Sequence, residues 1–414
     1  MGKSKIVSDE WYQYEYLMTA TISIPGEEDY DLNEIQMEGL YIEKDYDNDH
    51  LPVMLVDLNI PAFLDIKIKG AEEPTLTLTV TSYMKDTQNP DMVMDKKIII
   101  SGVFLILEPD GTPDQEYKLR QLLRDMNDSD DEDVMLEDTT YKVTYILISK
   151  EMSTLARTIV NAVMTNVDLI TAYAYLLSSV NAKNVLISNF DNVDVIPELL
   201  LLPIPLLNEL AYLSNYYGLH KEGTQIFLDF DTLFINRMSG QCTCWKANES
   251  KNVTFFIGDV MQPDNTASGC VQTEDTIHVN VDKDAYTVTD GKTAMDQLAG
   301  QNVMVYDESA MSTSTVDTGG DFATLQSTYG HNKYLETQIA ARKAENEKVV
   351  HLMLSYVDVS WMTPNKQYRI ITDDSKIMDD IVGNYRLSMM NTTFIREGGH
   401  FLTITMVELK RVGD

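Results

Sequence analysis

The amino-acid sequence predicts an α+β protein that is mainly β, with antiparallel sheets of the barrel or sandwich kind. Three observations lead to this fold class. Successive stretches between residues 11 and 107 have strand patterns, and no strong helix separates them. Two helical patterns follow between residues 153 and 184. Alternating apolar residues then return between residues 350 and 410, which predicts a second β region.

The first region reads as a series of strands. Trp11 to Ile24 alternates apolar and polar residues, which predicts a long half-buried strand. The more continuous apolar run Lys97 to Leu107 predicts a strand buried on both faces. Shorter strands are predicted at 35–44, 51–58 and 75–83, with a short helix or bend at Pro61.

A strongly acidic stretch interrupts this β region. Gln115 to Arg124 is predicted as a short helix, and eight acidic residues follow between Asp125 and Asp138. Such a run is typical of a solvated loop. A calcium site is the alternative, although the fixed ligand spacing of a known calcium loop is absent. Tyr141 to Ser149 alternates again and is predicted as a strand.

Helical patterns occupy the middle of the chain. Ser153 is a suitable N-cap for a helix whose apolar stripe reaches Val163, and Asp168 begins a second helix. Two prolines then precede a third helix with one apolar face: Leu206, Leu210, Leu213 and Tyr217. Gly218 stands where a helix C-terminus favours a left-handed residue. A strand is predicted from Gln225 to Phe230 with Ile226, Leu228 and Phe230 on one side.

The rest of the chain is mostly β. Strands are predicted within 241–260 and 276–289, followed by a flexible loop at 309–321 that is rich in Ser, Thr, Asp and Gly. A mostly exposed helix is predicted at 333–348. The final strands cover 350–356, 383–389, 392–395 and 401–410, with Gly398 and Gly399 as the last turn.

Composition narrows the classes of function. Sixty-five acidic and 32 basic residues give 414 residues a net charge of −33, which disfavours nucleic-acid and anionic-membrane binding. We expect neither a membrane span nor a signal peptide, because no long apolar run is present. Only three cysteines occur, and Cys242 and Cys244 lack a second metal-binding pair, so neither a disulfide framework nor a zinc site is expected.

Residue patterns that carry catalysis are scarce. The six histidines are scattered along the chain, and the sequence contains neither a phosphate-binding loop nor a nucleophile flanked by glycines. Asp229 and Asp231 form the most suggestive carboxylate pair, since residues i and i+2 of a strand share a face. We interpret them as a solvent-facing or interface pair, because acidic residues are so numerous here that some pair will look catalytic by chance. No catalytic, cofactor-binding or metal-ligating residue is therefore predicted.

Two segments contain residue patterns that are more specific than those of helices and strands in general. The stretch 202–231 and the later stretch 361–368 resemble two signatures of bacteriophage tail hub proteins of the contractile-tail type, the trimeric ring that joins a tail tube to its spike. The first resemblance is strong over about thirty residues, and the second is weaker. The residues that carry it are Leu202, Pro203, Pro205, Leu210, Tyr212, Tyr217, Gly218, Phe227, Asp229, Phe230, Asp231, Trp361, Pro364, Asn365 and Lys366.

The resemblance implies a domain organisation. Residues 1–150 would form an N-terminal tube-type β domain, and 151–240 a helical segment with the helix–strand motif. Residues 241–330 would be an inserted β segment, and 331–414 a C-terminal tube-type β domain completed by part of 202–238. The two tube-forming domains would be antiparallel and barrel-like.

The resemblance also implies a role and partners. The chain would be a structural protein of the virion tail or baseplate, made in the host bacterial cytoplasm. It would form a homotrimer between a tail tube protein above and a spike protein below, with other baseplate proteins around it. Genomic DNA would pass only transiently through its channel, no stable membrane association is expected, and no cofactor is needed. Two alternatives remain open: a carboxylate-based cell-wall hydrolase and a β-rich adhesion or binding module.

Overall fold

A computed structural model provides the structure of the protein. It describes residues 12–33, 35–86, 93–108, 140–178, 184–230, 232–238, 252–258, 268–272, 276–282, 284–290, 301–307, 312–316, 322–328, 332–334, 337–338, 341, 348–355, 362–372 and 381–412. Within these ranges, no helix combines the length and the apolar character needed to cross a membrane.

Strands dominate the described chain. The strands are β1 (Tyr12–Ser23), β2 (Tyr30–Leu32), β3 (Met37–Asp45), β4 (Val53–Pro61), β5 (Thr75–Asp86), β6 (Val93–Leu107), β7 (Thr140–Ser149), β8 (Ala162–Asp168), β9 (Asn184–Ile187), β10 (Val195–Leu201), β11 (Thr224–Asp229), β12 (Thr232–Arg237), β13 (Asn252–Gly258), β14 (Ser268–Gln272), β15 (Thr276–Asp282), β16 (Tyr286–Asp290), β17 (Gln301–Asp307), β18 (Ser312–Val316), β19 (Phe322–Thr328), β20 (Lys348–Ser355), β21 (Tyr368–Thr372), β22 (Gly383–Glu397) and β23 (His400–Arg411). The helices are α1 (Ala62–Gly70), α2 (Lys150–Arg157), α3 (Leu169–Ser178) and α4 (Leu206–Leu213), which continues into a π-helical turn at Ser214–Gly218.

Eight antiparallel strands close into a barrel, which we call the first β unit. Their order around the ring is β22, β3, β4, β7, β6, β5, β1 and β23, and β23 pairs with β22 to complete it. The strands therefore come from both the beginning and the end of the described chain. This mainly β architecture with an antiparallel barrel confirms the predicted fold class.

The alternation predicted for the first strand is present in β1. Tyr14, Tyr16, Met18, Ala20 and Ile22 are buried in the core of the first β unit. The partner strand β5 pairs with β1 over its whole length in antiparallel register. Burial of one apolar face in this way is the main favourable contribution to a barrel wall.

Strand β6 differs from its prediction. We expected burial on both faces, but Ile98, Val103 and Leu107 are exposed, while Ile100 and Phe104 are buried. The strand forms part of a closed barrel, so only its inner face meets the core. The outer face of β6 therefore presents apolar side chains to solvent.

A second group of strands surrounds another core, and we call it the second β unit. Strands β14, β15, β13, β21 and β22 are neighbours in that order, while β23, β20 and β16 continue on the other side. Strand β13 runs parallel to both β15 and β21. The core includes Phe255, Leu352 and Tyr368.

The hairpin of β22 and β23 belongs to both β units. Near its open end Tyr385 pairs with Tyr368 of β21, and further along Phe394 pairs with Leu40 of β3. The register shifts at a bulge between Leu387 and Met389. The predicted strands at 383–389 and 392–395 are thus one continuous strand, because a bulge bends a strand without ending its pairing.

A third core lies in the middle of the chain, and we call this part the middle unit. It contains α2, α3, α4, the ribbon of β8 and β10, and the sheet of β11, β12 and β9. In that sheet β11 and β12 form an antiparallel hairpin, and β9 joins β12 in parallel. The second predicted helix is confirmed as α3, where Asp168 Oδ1 accepts a hydrogen bond from Thr171 N over 2.8 Å.

The first predicted helix of the middle unit is corrected. It begins earlier, because the cap is Ser149, whose Oγ accepts a hydrogen bond from Met152 N over 3.3 Å. It also ends earlier, and Ala162–Asp168 is the strand β8. Val163 pairs with Leu200 in β10. β-branched residues favour a strand wherever a partner strand is present, and local periodicity does not reveal that partner.

Other predictions differ or fall outside the described residues. The predicted loop at 309–321 contains β18, whose Ser and Thr residues pair with β17. The strand pattern at 276–289 is two strands, β15 and β16, which pair with other strands. Several predictions lie wholly or largely on residues that the structure does not describe: the helix at 115–124, the acidic run at 125–138, Cys242, Cys244 and most of the helix at 333–348.

Candidate functional site

The first signature begins where β10 turns into α4. Leu202 and Pro203 form this turn, and Pro205 is the N-cap residue of α4. Glu209 Oε1 accepts a hydrogen bond from Leu202 N over 3.1 Å, so a buried carboxylate fixes the turn from inside the helix. Burial raises the pKa of Glu209, and the hydrogen bond from Leu202 opposes that rise.

The apolar face of α4 is confirmed. Leu206, Leu210 and Leu213 are buried in the core of the middle unit. Tyr212 stacks on Tyr216, with ring centroids 5.2 Å apart, on the side of the helix that is less buried. The helix therefore buries its leucine face in the middle unit, and the partly buried tyrosine stack packs at the margin of the same core.

Gly218 ends this segment in the left-handed conformation that the sequence predicts, with φ +69°. A Cβ atom here would lie 2.2 Å from Asn332 Oδ1. Asn332 Nδ2 donates to Asn215 O over 2.9 Å, which holds the Asn332 side chain in this place. Glycine is therefore required by backbone conformation and by space. The preceding π-helical turn, which includes Tyr217, is a feature that the sequence pattern did not indicate.

Strand β11 divides its side chains between two cores. Ile226 and Leu228 pack in the middle unit, whereas Phe227 on the opposite face packs in the second β unit. The Phe227 ring meets Tyr46 edge to face, with centroids 4.6 Å apart. The predicted alternation of this strand is therefore present, and both of its faces are buried.

The turn between β11 and β12 reaches the first β unit. Phe230 has φ +43° and stands at the turn rather than in the predicted strand. Its ring packs edge to face against Phe104 of β6, with centroids 6.4 Å apart. A phenylalanine in the left-handed region is strained, and the surrounding contacts must hold it there. Together, residues 227–230 join all three cores, and we call this segment the junction.

Asp229 is an ion-pair residue of the junction. Its Oδ2 lies 2.7 Å from Lys44 Nζ of β3, and its side chain is only 12% exposed. The same ammonium group lies 4.9 Å from the centre of the Phe230 ring. Of the two expectations for Asp229, solvent-facing or interface, the first is wrong, because the hairpin turn is folded against the barrel. Asp231, its proposed companion, lies outside the described residues.

A buried charge network lies beside the junction. Arg386 of β22 donates two hydrogen bonds to the Asp47 carboxylate, over 2.6 and 3.0 Å, and Lys410 of β23 donates a third over 2.7 Å. Burial alone would raise the pKa of Asp47, but the two cations outweigh it and hold that pKa below its ordinary value. Arg386 is 1% exposed. The network ties the turn after β3 to the shared hairpin.

The turn that contains Asp47 also pairs with the junction strand. Leu228 N donates to His50 O over 2.8 Å, and His50 Nδ1 lies 3.0 Å from Ile226 O. Gln225 Nε2 donates to Asp47 Oδ1 over 3.3 Å. The sequence shows an acidic turn here but gives no sign of these partners, because they lie about 180 and 340 residues away along the chain.

The second signature surrounds the loop before β21. Tyr368 Oη donates to Thr363 O over 2.8 Å and accepts from Thr363 N over 2.9 Å, which clamps the loop from within. Pro364 is part of the turn, Asn365 is 4% exposed, and Lys366 follows. Trp361 lies outside the described residues. The structure thus assigns the described part of this signature to the second β unit.

Two open cavities flank the contact between Phe230 and Phe104. The larger has a volume of about 1150 Å³ and is lined by β6, α2 and the junction. The smaller has about 480 Å³ and lies between β7, α2 and α4. Phe104 and Phe230 line both cavities, so the junction crosses the space between the middle unit and the first β unit.

Groups suited to metal binding are not found in the described part of the chain, where no three His, Cys, Asp or Glu residues converge on a common centre. Of the two carboxylates that the sequence analysis interpreted as a non-catalytic pair, Asp229 forms an ion pair with Lys44. What the site does physically is connect three cores through aromatic packing and buried ion pairs.

Comparisons with known proteins agree with the resemblance stated above. The family model described as Bacteriophage PBS1 gene 109 protein matches residues 12–412. A tail protein from Neisseria meningitidis MC58 has a similar structure, with a TM-score of 0.51 and 10% identity over 95% of this chain and 97% of that one. A 43 kDa tail protein of prophage MuSo2 from Shewanella oneidensis gives 0.48 and 10% over 94% and 96%.

A third structure is similar at a lower score. The c3393 protein of E. coli is described as a component of the type VI secretion system with structural similarity to the T4 bacteriophage tail proteins gp27 and gp5. It gives a TM-score of 0.40 and 8% identity over 93% of this chain and 76% of that one. A sequence search of curated proteins gives no match. The resemblance to phage tail proteins that the sequence predicts is confirmed.

Proposed function

Because the chain belongs to the Bacteriophage PBS1 gene 109 protein family, we propose that it is a structural protein of a phage tail. Its specific role would be that of a hub in the tail or baseplate, joining the tail tube to the central spike. The virion tail would be its location, after synthesis in the cytoplasm of the host bacterium.

The observation that carries this proposal is the presence of two β units joined by one hairpin. A hub must match a tube of sixfold symmetry on one side and a spike of threefold symmetry on the other. Three copies of a chain with two β units would place six β units around one axis. The hairpin of β22 and β23 fixes the two units relative to each other, which a symmetric ring requires.

The charge of the chain agrees with a channel for DNA. A net charge of −33 repels a polyanion, so DNA would slide along the wall of a duct without adhering. In the homotrimer, genomic DNA would be a transient passenger. The lasting contacts would be with the tube protein above, the spike protein below and neighbouring baseplate proteins, with no stable membrane association.

The proposed role requires no covalent chemistry. Asp229 is the most suggestive carboxylate by sequence, and Lys44 holds it in an ion pair that stabilises the junction. A cell-wall hydrolase would need a carboxylic acid aligned with a second carboxylate across a substrate cleft. A peptidoglycan zymogram of the purified protein should stay uncleared, and a cleared band that disappears with Asp229→Asn would contradict the structural role.

The number of subunits tests the hub proposal against the adhesion or binding module. Native mass spectrometry of the purified chain, alone and with its tube or spike partner, should give three copies of a 46.9 kDa chain. A monomer that persists in the presence of both partners would contradict the hub.

A further inference from the structure

Two facing pairs of side chains join the end of β3 to the junction. On one side are Lys44 and Tyr46, two residues apart where β3 ends. On the other side are Phe227 and Asp229, two residues apart on β11, so that they share one face of that strand. Lys44 forms the ion pair with Asp229, and the Tyr46 ring packs edge to face against Phe227. These contacts hold the Tyr46 side chain beside the face of β11 that carries Asp229.

One polar atom on each side has no partner among the described residues. The Tyr46 side chain is buried, and its hydroxyl makes no hydrogen bond with them. Asp229 Oδ2 accepts from Lys44, whereas Asp229 Oδ1 is buried and unpaired. A phenol donates and a carboxylate accepts, so the two unpaired atoms are complementary. An unpaired polar atom in the interior costs free energy, and buried polar groups therefore nearly always have a partner.

The two unpaired groups lie near each other without bonding directly. Burial raises the pKa of Tyr46 well above its ordinary value, and the negative charge of Asp229 is the next cause of this rise. The carboxylate is therefore close to the phenol, although no hydrogen bond joins them. A gap between a buried donor and a buried acceptor is where proteins hold ordered water.

Tyr368 brings a third polar group to the same place. Its phenol is the third cause of the raised pKa of Tyr46, so the two phenols are also close. The Tyr368 hydroxyl donates to Thr363 O and accepts from Thr363 N, which leaves one of its lone pairs free. One donor and two acceptors thus converge. Buried water molecules typically make about three hydrogen bonds, so this set suits a single water molecule.

The larger cavity provides room and a path from solvent. Asp229 of the junction and Thr363 of the second signature both line it, and its volume is about 1150 Å³. A water molecule occupies only about 30 Å³. The place between the junction and the loop before β21 is therefore accessible to water through this cavity.

We propose that one buried water molecule links the Tyr46 hydroxyl, Asp229 Oδ1 and the Tyr368 hydroxyl. The Tyr46 hydroxyl donates to the water, and the water donates to the carboxylate and to the Tyr368 oxygen. Asp229 belongs to the first signature, and Tyr368 ends the second, so the water connects two stretches that are far apart in the sequence. This inference does not depend on the hub proposal, because a single chain supplies all three groups.

Removal of one hydroxyl gives a test in which the sign of the effect decides. Tyr46→Phe keeps the ring on Phe227 and removes only the donor. With the water bound, the equilibrium constant for unfolding should rise about fivefold to tenfold, because one hydrogen bond of the bridge is lost. With an unpaired hydroxyl, the same change would remove a buried polar group that has no partner, and the constant would fall. A fall, or no change, in denaturant unfolding would overturn the proposal.

Two further variants calibrate this result. Tyr173→Phe is the matched control, because the Tyr173 hydroxyl is also buried and donates directly to Leu210 O over 2.5 Å. It should raise the unfolding constant to a similar degree. In a protein that already carries Asp229→Ala, Tyr46→Phe should change the constant less than about twofold, because the water has lost its charged acceptor. An undiminished effect in that background would assign the Tyr46 hydrogen bond to another group and overturn the proposal.

A crystal structure of the unaltered protein distinguishes a bridging water from a direct contact. At a resolution that shows ordered water, we expect one density peak about 2.7–3.0 Å from Tyr46 Oη and from Asp229 Oδ1. The proposal would be wrong if the hydroxyl bonded directly to the carboxylate, or if no peak lay between them.

Discussion

At the scale of single residues, buried charges hold the two ends of the chain together. Arg386 and Lys410 are on the C-terminal hairpin, and Asp47 follows β3. Taking such charges out of water costs free energy, and the pairing of all three offsets that cost. Asp47 is the carboxylate that both cations share, so its loss removes both of these ion pairs at once.

Asp47→Asn should therefore destabilise the protein strongly. We expect a loss of about 3 kcal/mol in the free energy of unfolding, because two cations remain without their carboxylate. Denaturant unfolding at pH 7 measures it. Asp49→Asn, in the same turn but exposed, is the control and should change stability by less than about 0.5 kcal/mol.

The same carboxylate predicts an acid response. The folded protein holds the pKa of Asp47 below the value of 3.8 that an unperturbed aspartate has. Its stabilising contribution is therefore present above about pH 4 and is lost as the pH falls through the lower folded pKa. Because Asp47→Asn has no carboxylate to titrate there, its stability should fall less between pH 4 and pH 2. An equal fall in both proteins would contradict this assignment.

His220 predicts a second dependence on pH. His220 lies between the π-helical turn and β11. Its burial lowers its pKa from 6.5 to about 4, and the nearby positive charge of Arg237 is the second largest cause of this shift. The unfolded chain therefore binds a proton at a higher pH than the folded one, and stability falls as the pH drops from 6.5 to 4. His220→Gln should remove a fall of about 2–3 kcal/mol across this window, measured by denaturant unfolding. Parallel curves for the two proteins would show that other groups cause the fall.

At the scale of elements, the junction joins the hairpin of β11 and β12 to the barrel through one aromatic residue. Phe230 packs on Phe104 but has φ +43°. The ring stabilises the contact, whereas the backbone conformation opposes it. Replacing Phe230 with alanine and, separately, with glycine distinguishes the contribution of the ring from that of the backbone.

We expect Phe230→Gly to be more stable than Phe230→Ala, which reverses the usual order of these two substitutions. Both lose the ring, at a cost of about 2–3 kcal/mol for a partly buried aromatic side chain. Glycine also relieves the left-handed strain, so Phe230→Gly should be about 1 kcal/mol more stable than Phe230→Ala. Thermal and denaturant unfolding of the two variants measure the difference. An alanine variant that is the more stable of the two would show that the turn is not strained.

The glycine after α4 can be examined with an internal control. Gly218→Ala places a methyl group against Asn332 at positive φ, and we expect a loss of about 2–3 kcal/mol. Gly26→Ala also has positive φ but meets nothing within 4 Å, so it should lose only about 1 kcal/mol. Denaturant unfolding of the two variants measures these losses in the free energy of unfolding. Equal losses would mean that the contact with Asn332 adjusts freely.

Local pattern predicts many elements of this protein and fails where long-range contacts decide. The alternation of β1, the apolar face of α4 and the left-handed Gly218 all follow from residues within a few positions of one another. The start of β8, around Val163, was predicted as helix, because its partner strand β10 is about 30 residues further along and is not visible in a local pattern. The outward face of β6 likewise depends on barrel closure, which no local window contains.

At the candidate site, the sequence pattern identifies residues but not their contacts. The sequence indicates the signature residues of the junction, including Phe227 and Asp229, but not what each contacts. Lys44 and Tyr46 lie some 180 residues before them in the chain. Asp47 and its partners were missed altogether, because a turn with several acidic residues looks solvated until its cations are known.

At the scale of the whole molecule, the shared hairpin makes the two β units one structural body. Core residues of both units lie on β22, with Leu387 in the second and Phe394 in the first. The domain division at residues 150, 240 and 330 stays a prediction. The sequence indicated two β regions, and the sharing of one hairpin between two cores could not be inferred from it.

The proposed hub places the two joined β units of each chain around a common axis. Image averages from electron microscopy of the purified protein, viewed down that axis, test this claim most directly. We predict a threefold ring with a central opening and six β units around it, two from each chain. A compact particle without an opening, or a ring whose symmetry is not threefold, would contradict the proposed hub.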